Sequence, residues 1–283
     1  MIASTSILPA GFNLIAAGIF QGNQIAEFGF KATPVTNQEF GEVGRNQFVL
    51  LDHDWNTGET RLRKSGESVE EVMGGSAFVP GRINFDQGDI FVLGSTILLQ
   101  MVENPSAQYD QKKRVFSGAK QPAVGITYIH AKAWCLLEML ESGGEFTYDL
   151  PTDAQYEYVA SDRGTKEYGT ETGTLFKGER KLAHIDEYKD GKGTTVAVDD
   201  PRYEQDLPFG VQTTGNVWRW IRFNAVFKRS DCLYSPYGLR GGSWFFNRGD
   251  GQAAFRGFDS HPEKRGTSNV GFSPVVVRQD SPS

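Results

Sequence analysis

Cysteine and histidine are scarce in this 283-residue chain, which contains two cysteines and four histidines. Two cysteines cannot build a disulfide framework, although one bridge between Cys135 and Cys232 stays open, and a reduced state is the default. The histidines are scattered and show no H-x-x-x-H pairing of a helical metal site. We therefore expect no metal and no cofactor.

Long apolar runs and long basic runs are also absent. No segment is apolar enough to cross a bilayer, and residues 1–20 lack the basic region that begins a Sec-type signal peptide. The formal net charge of -6 argues against the phosphate-neutralising surface of a nucleic-acid binder. These features predict a soluble chain, made in the cytoplasm without Sec-type export, that neither inserts into membranes nor binds nucleic acid.

Glycine is abundant instead, with 33 residues beside 12 prolines and 12% aromatic residues. Glycine and proline interrupt regular elements, so this composition favours a loop-rich fold with short strands over a helix bundle. The length fits one large domain or two small ones, and 39% hydrophobic residues suffice for a sizeable core.

Two short helices carry the signature of a capping box. Thr36 is followed three residues later by Glu39, and Thr152 is followed three residues later by Gln155. In each pair the threonine can accept from an orphan backbone N–H and the second side chain can answer at the cap. We expect the second helix to continue until Gly164 ends it.

A third helix is predicted after residue 121. Gly143 supplies its C-cap, and the helix should run for about four turns. Its apolar face is formed at 3.6-residue spacing by Ile129, Ala133, Leu136, Leu137 and Leu140.

The remaining signals predict short strands and long loops. Residues 47–120 are interpreted as an inserted β-rich region, with strands at 48–55, 88–102 and 112–116 around a solvated charged stretch at 58–71. Residues 164–210 lack periodicity and predict a surface loop region. Trp218 and Trp220 alternate as a strand requires, and residues 275–277 predict a terminal strand.

Four stretches occur in a fixed order: PVTNQEF, QPAVGITYIHAKAWC with DLPTDAQYEYVA, TTGNVWRW, and LRGGSW followed by VGF. In this order they resemble the formylglycine-generating-enzyme (sulfatase-modifying factor) family. The resemblance implies one α+β domain over residues 1–283 with that family's variant of the C-type lectin fold: two short helices, small antiparallel sheets and much ordered loop. Four tryptophans are expected in its core: Trp134, Trp218, Trp220 and Trp244.

The resemblance does not extend to the family's chemistry. Its enzymes oxidise a substrate cysteine with a copper-binding cysteine pair shortly after R-G-G-S-(W/Y), and no cysteine follows Cys232 here. Cys135 falls on a predicted helix and is interpreted as a packed small side chain. Some family members hold calcium where this chain has Arg219 in place of glutamate, and Asn216 alone does not make a calcium site. We therefore expect that this protein is not an enzyme.

A non-catalytic group resembles the same enzymes: the variable proteins of diversity-generating retroelements, which end in R-G-G-S-W and G-F. In that group, adenine-directed mutagenesis rewrites residues of a C-terminal loop that binds ligand. The resemblance implies a variable ligand-binding segment at about 245–269. Twelve residues in it belong to types that a mutated asparagine codon can encode: Phe245, Phe246, Asn247, Asp250, Phe255, Phe258, Asp259, Ser260, His261, Gly266, Ser268 and Asn269.

Physical arguments favour the same segment as a binding face. Phenylalanines among glycine, asparagine and aspartate place large apolar side chains on an exposed segment, where they provide contact area at low entropy cost. The alternative, that these rings fill the core beneath a loop, stays open at this point. Arg240, Arg256 and Arg265 can fork onto carboxylates or carbonyls and fix the loop backbone.

The leading hypothesis is a ligand-binding protein whose C-terminal loop is diversified by a retroelement. Its partner would be a protein or glycan on a cell surface, and assembly into a phage virion would bring the chain there. Two alternatives remain: a degenerate or unusual formylglycine-generating oxidase, and a protein-interaction module without diversification.

Overall fold

The computed structural model describes residues 7–73, 90–112, 114–185, 193–203, 207–229, 232–258 and 267–279. The α-helices in these ranges are α1 (Asn37–Gly44), α2 (Val69–Met73), α3 (Tyr128–Glu141) and α4 (Asp153–Ala160). No helix among the described residues is both long and apolar enough to span a membrane.

The strands of the same ranges are short, with two exceptions near the C-terminus. They are β1 (Phe12–Ile15), β2 (Gly18–Phe20), β3 (Asn23–Ile25), β4 (Phe28–Lys31), β5 (Phe48–His53), β6 (Thr60–Gly66), β7 (Ile90–Leu93), β8 (Thr96–Gln100), β9 (Phe146–Asp149), β10 (Phe176–Lys177), β11 (Arg180–Lys181), β12 (Trp218–Arg229), β13 (Cys232–Arg240), β14 (Gly257–Phe258), β15 (Val270–Gly271) and β16 (Val275–Arg278).

The strands form three four-stranded sheets and two small hairpins. The sheet orders are β1-β4-β16-β9, β6-β5-β8-β7 and β14-β13-β12-β15. In the first sheet, β16 pairs antiparallel with both β4 and β9, so the last strand lies between one from the N-terminal part of the chain and one from its middle. In the third, β12 and β13 form a long antiparallel ribbon that β15 and β14 extend at its two edges.

Both capping boxes predicted from the sequence are confirmed. The Thr36 hydroxyl accepts from Glu39 N, and the Glu39 carboxylate accepts from Thr36 N at 2.9 Å. Thr152 and Gln155 make the same two bonds at the start of α4. The expected end of α4 at Gly164 is wrong, because the next residues turn away from helical geometry.

The turn after α4 explains its early end. Asp162 and Arg163 have φ of 46° and 61°, in the left-handed region, so the helix stops at Ala160. Helix α3 runs close to its predicted span, and Gly143 follows its cap with φ of 65°. Leu140, predicted on the apolar face of α3, is 56% exposed because residues 140–145 project into solvent.

The expected tryptophan core is confirmed. Trp134, Trp218 and Trp220 lie in the main hydrophobic cluster together with residues from α3 and the sheets. Trp244 lies in a smaller cluster with Phe116. Each of the four tryptophans is at most 4% exposed, so these large rings supply much of the bulk of the core.

The β-rich segment packs onto this core through one face of its sheet. Val49, Leu51, Ile97 and Leu99 are fully buried members of the main cluster. The strand predicted at 112–116 is wrong in the part that the structure describes. There the Asp110 carboxylate accepts from the N–H groups of Phe116 and Ser117, which makes a side-chain-supported turn.

The expectation of a surface loop at 164–210 is wrong in part of the described residues, 164–185, 193–203 and 207–210. They contain the β10–β11 hairpin and a small buried cluster that includes Leu175 and Ile185. The imidazole of His184 is bonded to Tyr203 Oη at 2.7 Å and to Thr194 O at 2.6 Å. Side-chain hydrogen bonds, several of them to irregular backbone, stabilise this segment. Such bonds leave no periodic pattern in the sequence.

Candidate ligand-binding face

The chain enters the candidate site through two glycines that follow β13. Gly241 and Gly242 have φ of 93° and 66°, which side chains other than glycine rarely adopt. A Cβ on Gly241 would overlap Thr213 O and Tyr156 Oη, and one on Gly242 would lie 2.9 Å from Gly251 Cα. The turn therefore requires glycine at both positions.

Trp244 fixes the two ends of the 245–269 segment to each other. Its ring packs on Phe116, with 5.8 Å between centroids, and the Arg114 guanidinium lies 5.2 Å from its centroid. Its Nε1 donates to Ser268 O at 3.2 Å. Trp244, which directly precedes the segment, thus binds Ser268 near the end of the segment.

Three phenylalanines of the segment are exposed, as the sequence argument expected. Phe245, Phe246 and Phe255 are 41%, 38% and 37% exposed, and we call these three residues the aromatic face. The alternative that they fill the core is wrong for these three, because a core phenylalanine such as Phe272 is fully buried.

A buried tryptophan forms the floor of the aromatic face. The Trp218 ring lies 5.5 Å from Phe246 and 5.9 Å from Phe255, measured between centroids. Phe245 contacts Phe246 edge to face at 5.5 Å. The three exposed rings are therefore linked through Trp218 and the Phe245–Phe246 contact and rest on the core, rather than standing as isolated side chains. The sequence argument assigned Trp218 to the core and missed this second role.

Polar residues follow Phe246 directly in the chain and border the aromatic face. Asn247 is exposed, and its Oδ1 accepts from Gly249 N at 2.9 Å to begin a short 3₁₀ turn. Asp250 is half-buried in that turn, and burial raises the pKa of its carboxyl group. Ser268 is also half-buried.

One predicted site residue belongs to the scaffold instead. Asn269 is 6% exposed, its Oδ1 accepts from Thr267 Oγ1, and its Nδ2 donates to Ser243 Oγ at 3.3 Å. Its amide is used to join the two ends of the segment, so it adds no exposed group to the face. The remaining predicted positions lie outside the described residues: the side chain of Phe258, and Asp259, Ser260, His261 and Gly266.

Two arginines hold the backbone below the face, as the sequence predicted for Arg240 and Arg256. Arg240 is fully buried, and its Nη1 donates to Ala253 O at 2.7 Å and to Phe255 O at 3.1 Å. Arg256 Nη1 donates to Ala254 O at 3.2 Å. The guanidinium groups thus fix the chain that carries Phe255.

Both arginines are anchored by two carboxylates one turn apart on α4. Asp153 accepts from Arg240 through Oδ1 and from Arg256 through Oδ2. Glu157 Oε2 lies 2.7 Å from Arg240 Nη2 and 2.8 Å from Arg256 Nη2. We call these four residues the arginine clamp. Sequence reasoning missed the carboxylates, although their i,i+4 spacing places them on one face of the helix.

Arg265, the third arginine expected to fix the loop, lies outside the described residues. The side chain of Cys232 does too, whereas Cys135 is buried in α3. Burial raises the pKa of the Cys135 thiol, with the charge of Asp149 adding to the effect. Across the described ranges, no three histidine, cysteine, aspartate or glutamate side chains come together as metal ligands.

The fold and the frame of this site define an α+β, C-type lectin-like protein. The sequence matches the family described as "Sulfatase-modifying factor enzyme 1-like domain" over residues 19–278. The chain therefore belongs to this family.

Three solved structures share the fold. CarF has a TM-score of 0.56 at 14% identity, with 97% of this chain and 100% of that chain covered. Treponema denticola variable protein 1 has a TM-score of 0.55 at 14% identity, with 95% of both chains covered. PvdO from Pseudomonas aeruginosa has a TM-score of 0.50 at 17% identity, with 96% and 93% covered. Among curated proteins, no sequence matches.

Proposed function

We propose that this chain is a non-catalytic protein that binds its partner through the aromatic face, and that residues of the 245–269 segment are diversified by a retroelement. One observation carries the binding proposal. Phe245, Phe246 and Phe255 are exposed and linked through ring contacts that include Trp218, and Arg240 and Arg256 fix the backbone of residues 253–255.

The energetics of association favour such an arrangement. Ordering a loop on binding costs free energy, and a backbone fixed beforehand reduces that cost. Aromatic rings have few rotatable bonds and a large contact area, which is why they dominate binding hot spots. The arginine clamp supplies the fixed backbone, and the aromatic face supplies the contact area.

The chemistry of the face suits a protein or a glycan partner on a cell surface. Phenylalanine rings pack against apolar protein side chains and against the C–H faces of sugars, while Asn247 offers polar contacts at the rim. A nucleic acid is a poor partner, since the net charge is -6.

Diversification is supported by resemblance and by residue type. The structure shares its fold with a protein titled variable protein 1. Phe245, Phe246, Asn247, Asp250 and Phe255 are all types that an adenine-mutated asparagine codon can encode. Trp244 and Gln252, by contrast, are residue types that such a codon cannot encode.

The oxidase alternative finds less support in the residues. Two thiolates are needed for a soft copper site of the family's kind, and the chain has only two cysteines. Cys135 is buried within α3 with a raised pKa, so its thiol is neither accessible nor ionised at neutral pH. With copper and a cysteine-containing substrate peptide, we expect no formation of formylglycine by mass spectrometry. Turnover would overturn the non-catalytic assignment.

A cell-surface binding assay tests the role of the face. Fluorescently labelled protein is incubated with a panel of intact bacterial cells and with a glycan array, and the same is done with the triple variant Phe245→Ala, Phe246→Ala, Phe255→Ala. We expect a loss of binding of at least about tenfold with an unchanged melting temperature, because exposed hot-spot aromatics contribute to binding rather than folding. As the matched control, Leu140→Ala with Val277→Ala removes apolar side chains elsewhere that are somewhat more exposed, and it should bind normally.

Sequencing of the locus separates a diversified protein from an undiversified interaction module. The expected result is a near-identical repeat of the 3′ end, beside a reverse transcriptase gene, that differs from the coding copy only where the template has adenine. Deep sequencing of a population should place the variation in the codons of 245–269 and spare those of Trp244 and Gln252. A locus without the repeat would leave the binding proposal standing and refute diversification.

A further inference from the structure

Arg219 is a fully buried cation without a carboxylate partner. It lies on β12 between Trp218 and Trp220, and its side chain is 0% exposed. Its guanidinium forms no ion pair with an acidic residue of the described ranges, and its Nε and Nη2 have no hydrogen-bond acceptor. A buried charge without a partner is costly, so its retention requires a compensating interaction.

The compensation comes from backbone carbonyl groups. Arg219 Nη1 donates to Thr213 O at 3.3 Å, to Gly215 O at 3.1 Å and to Val217 O at 2.9 Å. The turn 213–217 curls around this nitrogen because Gly215 and Asn216 both have positive φ, 78° and 63°. Three carbonyl oxygens therefore converge on one positive group.

Converging oxygens are also how proteins hold calcium, which takes six to eight oxygen ligands and usually includes carboxylates. The family resemblance implies a calcium site at this point in some members, with a glutamate at the position of Arg219. The residues present do not fit that ion. Arg219 Nη1 lies where the carbonyl oxygens converge, and the acidic side chain expected there is replaced by a cationic one.

We infer that the guanidinium of Arg219 replaces a calcium ion as the cation that holds the 213–217 turn, so that the platform folds without calcium. This inference goes beyond the proposed function and does not depend on it. The turn in question supports the binding site directly. Gly215 N donates to Gly241 O at 2.7 Å, and Trp244 N donates to Asn216 O at 3.1 Å.

Thermal unfolding in calcium and in chelator tests the inference with the metal alone as the probe. The melting temperature of the wild-type chain should agree within about 1 °C between 5 mM EDTA and 5 mM CaCl₂. Arg219→Glu restores an acidic oxygen ligand beside the carbonyls of Gly215 and Val217. It should melt lower than wild type in EDTA and gain about 5 °C or more in CaCl₂.

Two further variants make the test specific. Arg219→Gln is the matched neutral control and should be destabilised without any response to calcium. Arg219→Met keeps the apolar stem but removes the nitrogen that donates to all three carbonyls. Thr213 O then keeps only Tyr156 Oη as a donor and Gly215 O keeps only Val217 N, so the variant should melt at least about 5 °C below wild type. MgCl₂ in place of CaCl₂ should stabilise Arg219→Glu much less, because magnesium demands a smaller, octahedral site.

Three results would overturn the inference. The first is a wild-type melting temperature that falls in EDTA, which would show that the platform needs a metal ion. The second is an Arg219→Glu chain that does not respond to calcium, whether it is folded or unfolded. The third is an Arg219→Met chain as stable as wild type, which would show that no cation is needed in the turn.

Discussion

The arginine clamp and the aromatic face are neighbours in the chain but lie in opposite environments. Arg240 is fully buried, and its guanidinium donates to two carboxylates and two carbonyls. Phe245 and Phe246 are about two-fifths exposed, and their rings contact each other and Trp244. The side chains that fix the backbone are therefore different from the side chains that are exposed to a partner.

This separation explains how a loop can keep its shape while its exposed side chains change. If the rings of the face also fixed the backbone, each substitution would alter the loop conformation as well as the surface chemistry. Because Arg240 and Arg256 bond to the main-chain carbonyls of residues 253–255, they fix that stretch without contacting the Phe255 side chain for support. Substitutions in the clamp and in the face should therefore have opposite consequences.

The largest expected effect is in the clamp. Glu157→Gln removes a charged partner from both arginines and leaves the buried Arg240 guanidinium less compensated, so the free energy of unfolding should fall by about 3–5 kcal/mol. Urea unfolding measures it. Glu59→Gln, which removes the exposed partner of Arg61, is the matched control and should change stability by less than about 0.5 kcal/mol. Equal effects of the two variants would contradict a structural role for the clamp.

The turn into the face should be nearly as sensitive. Gly241→Ala combines a left-handed φ with a clash against Thr213 O and Tyr156 Oη, and should cost about 3 kcal/mol by urea unfolding. Gly22→Ala is the control, because Gly22 has φ of 79° but open space around its Cβ position. It should show the backbone cost alone, about 1 kcal/mol. If Gly241→Ala cost no more than Gly22→Ala, the tight packing of the turn would be disproved.

Acid should act on the scaffold through His53. Burial, and then the charge of Lys132, lower the pKa of His53 to about 4 in the folded chain, from 6.5. The unfolded chain therefore binds a proton below pH 6.5 that the folded chain does not. The contribution of His53 to the free energy of unfolding is therefore fully present above pH 6.5. It declines as the pH falls toward 4, by about 2 kcal/mol at pH 5.

Unfolding in urea at pH 7 and pH 5 measures this contribution. His53→Gln can keep polar contacts with Thr60 and Tyr237 but cannot titrate, so its loss of stability between the two pH values should be smaller by about 2 kcal/mol. An unchanged pH dependence in the variant would assign the acid sensitivity to other groups.

The smallest expected effect on stability is in the face. Phe245→Ala removes a ring that is already 41% exposed, and the free energy of unfolding should change by less than about 1 kcal/mol. Phe272→Ala is the buried comparison and should cost about 3–5 kcal/mol. A loss at Phe245 as large as that at Phe272 would mean that the face is part of the core.

Much of this fold could be predicted from the sequence, because its motifs depend on interactions between residues that are close together in the chain. The capping boxes at Thr36 and Thr152 and the exposed phenylalanines follow from residue type and spacing. The order of four sequence motifs along the chain then indicated the family.

The remaining features depend on contacts between distant segments. A glutamate such as Glu157 on a helix is typical of a solvent-exposed face. Only the fold brings it to Arg240, 83 residues away. From the sequence, Arg219 is interpreted as the loss of a metal ligand, and only the fold brings the carbonyls of Gly215 and Val217 onto its guanidinium. Asn269 is a permitted type for a variable position, yet its amide joins the ends of the segment.

A single library experiment tests the central claim most directly, namely that a fixed frame carries a replaceable face. All twenty residues are introduced singly at Phe245, Phe246, Phe255, Arg240 and Trp244, and the displayed proteins are sorted for resistance to protease. The account predicts that nearly all substitutions at the three phenylalanines survive, whereas almost none survive at Arg240 and Trp244. Equal intolerance at both sets of positions would contradict it.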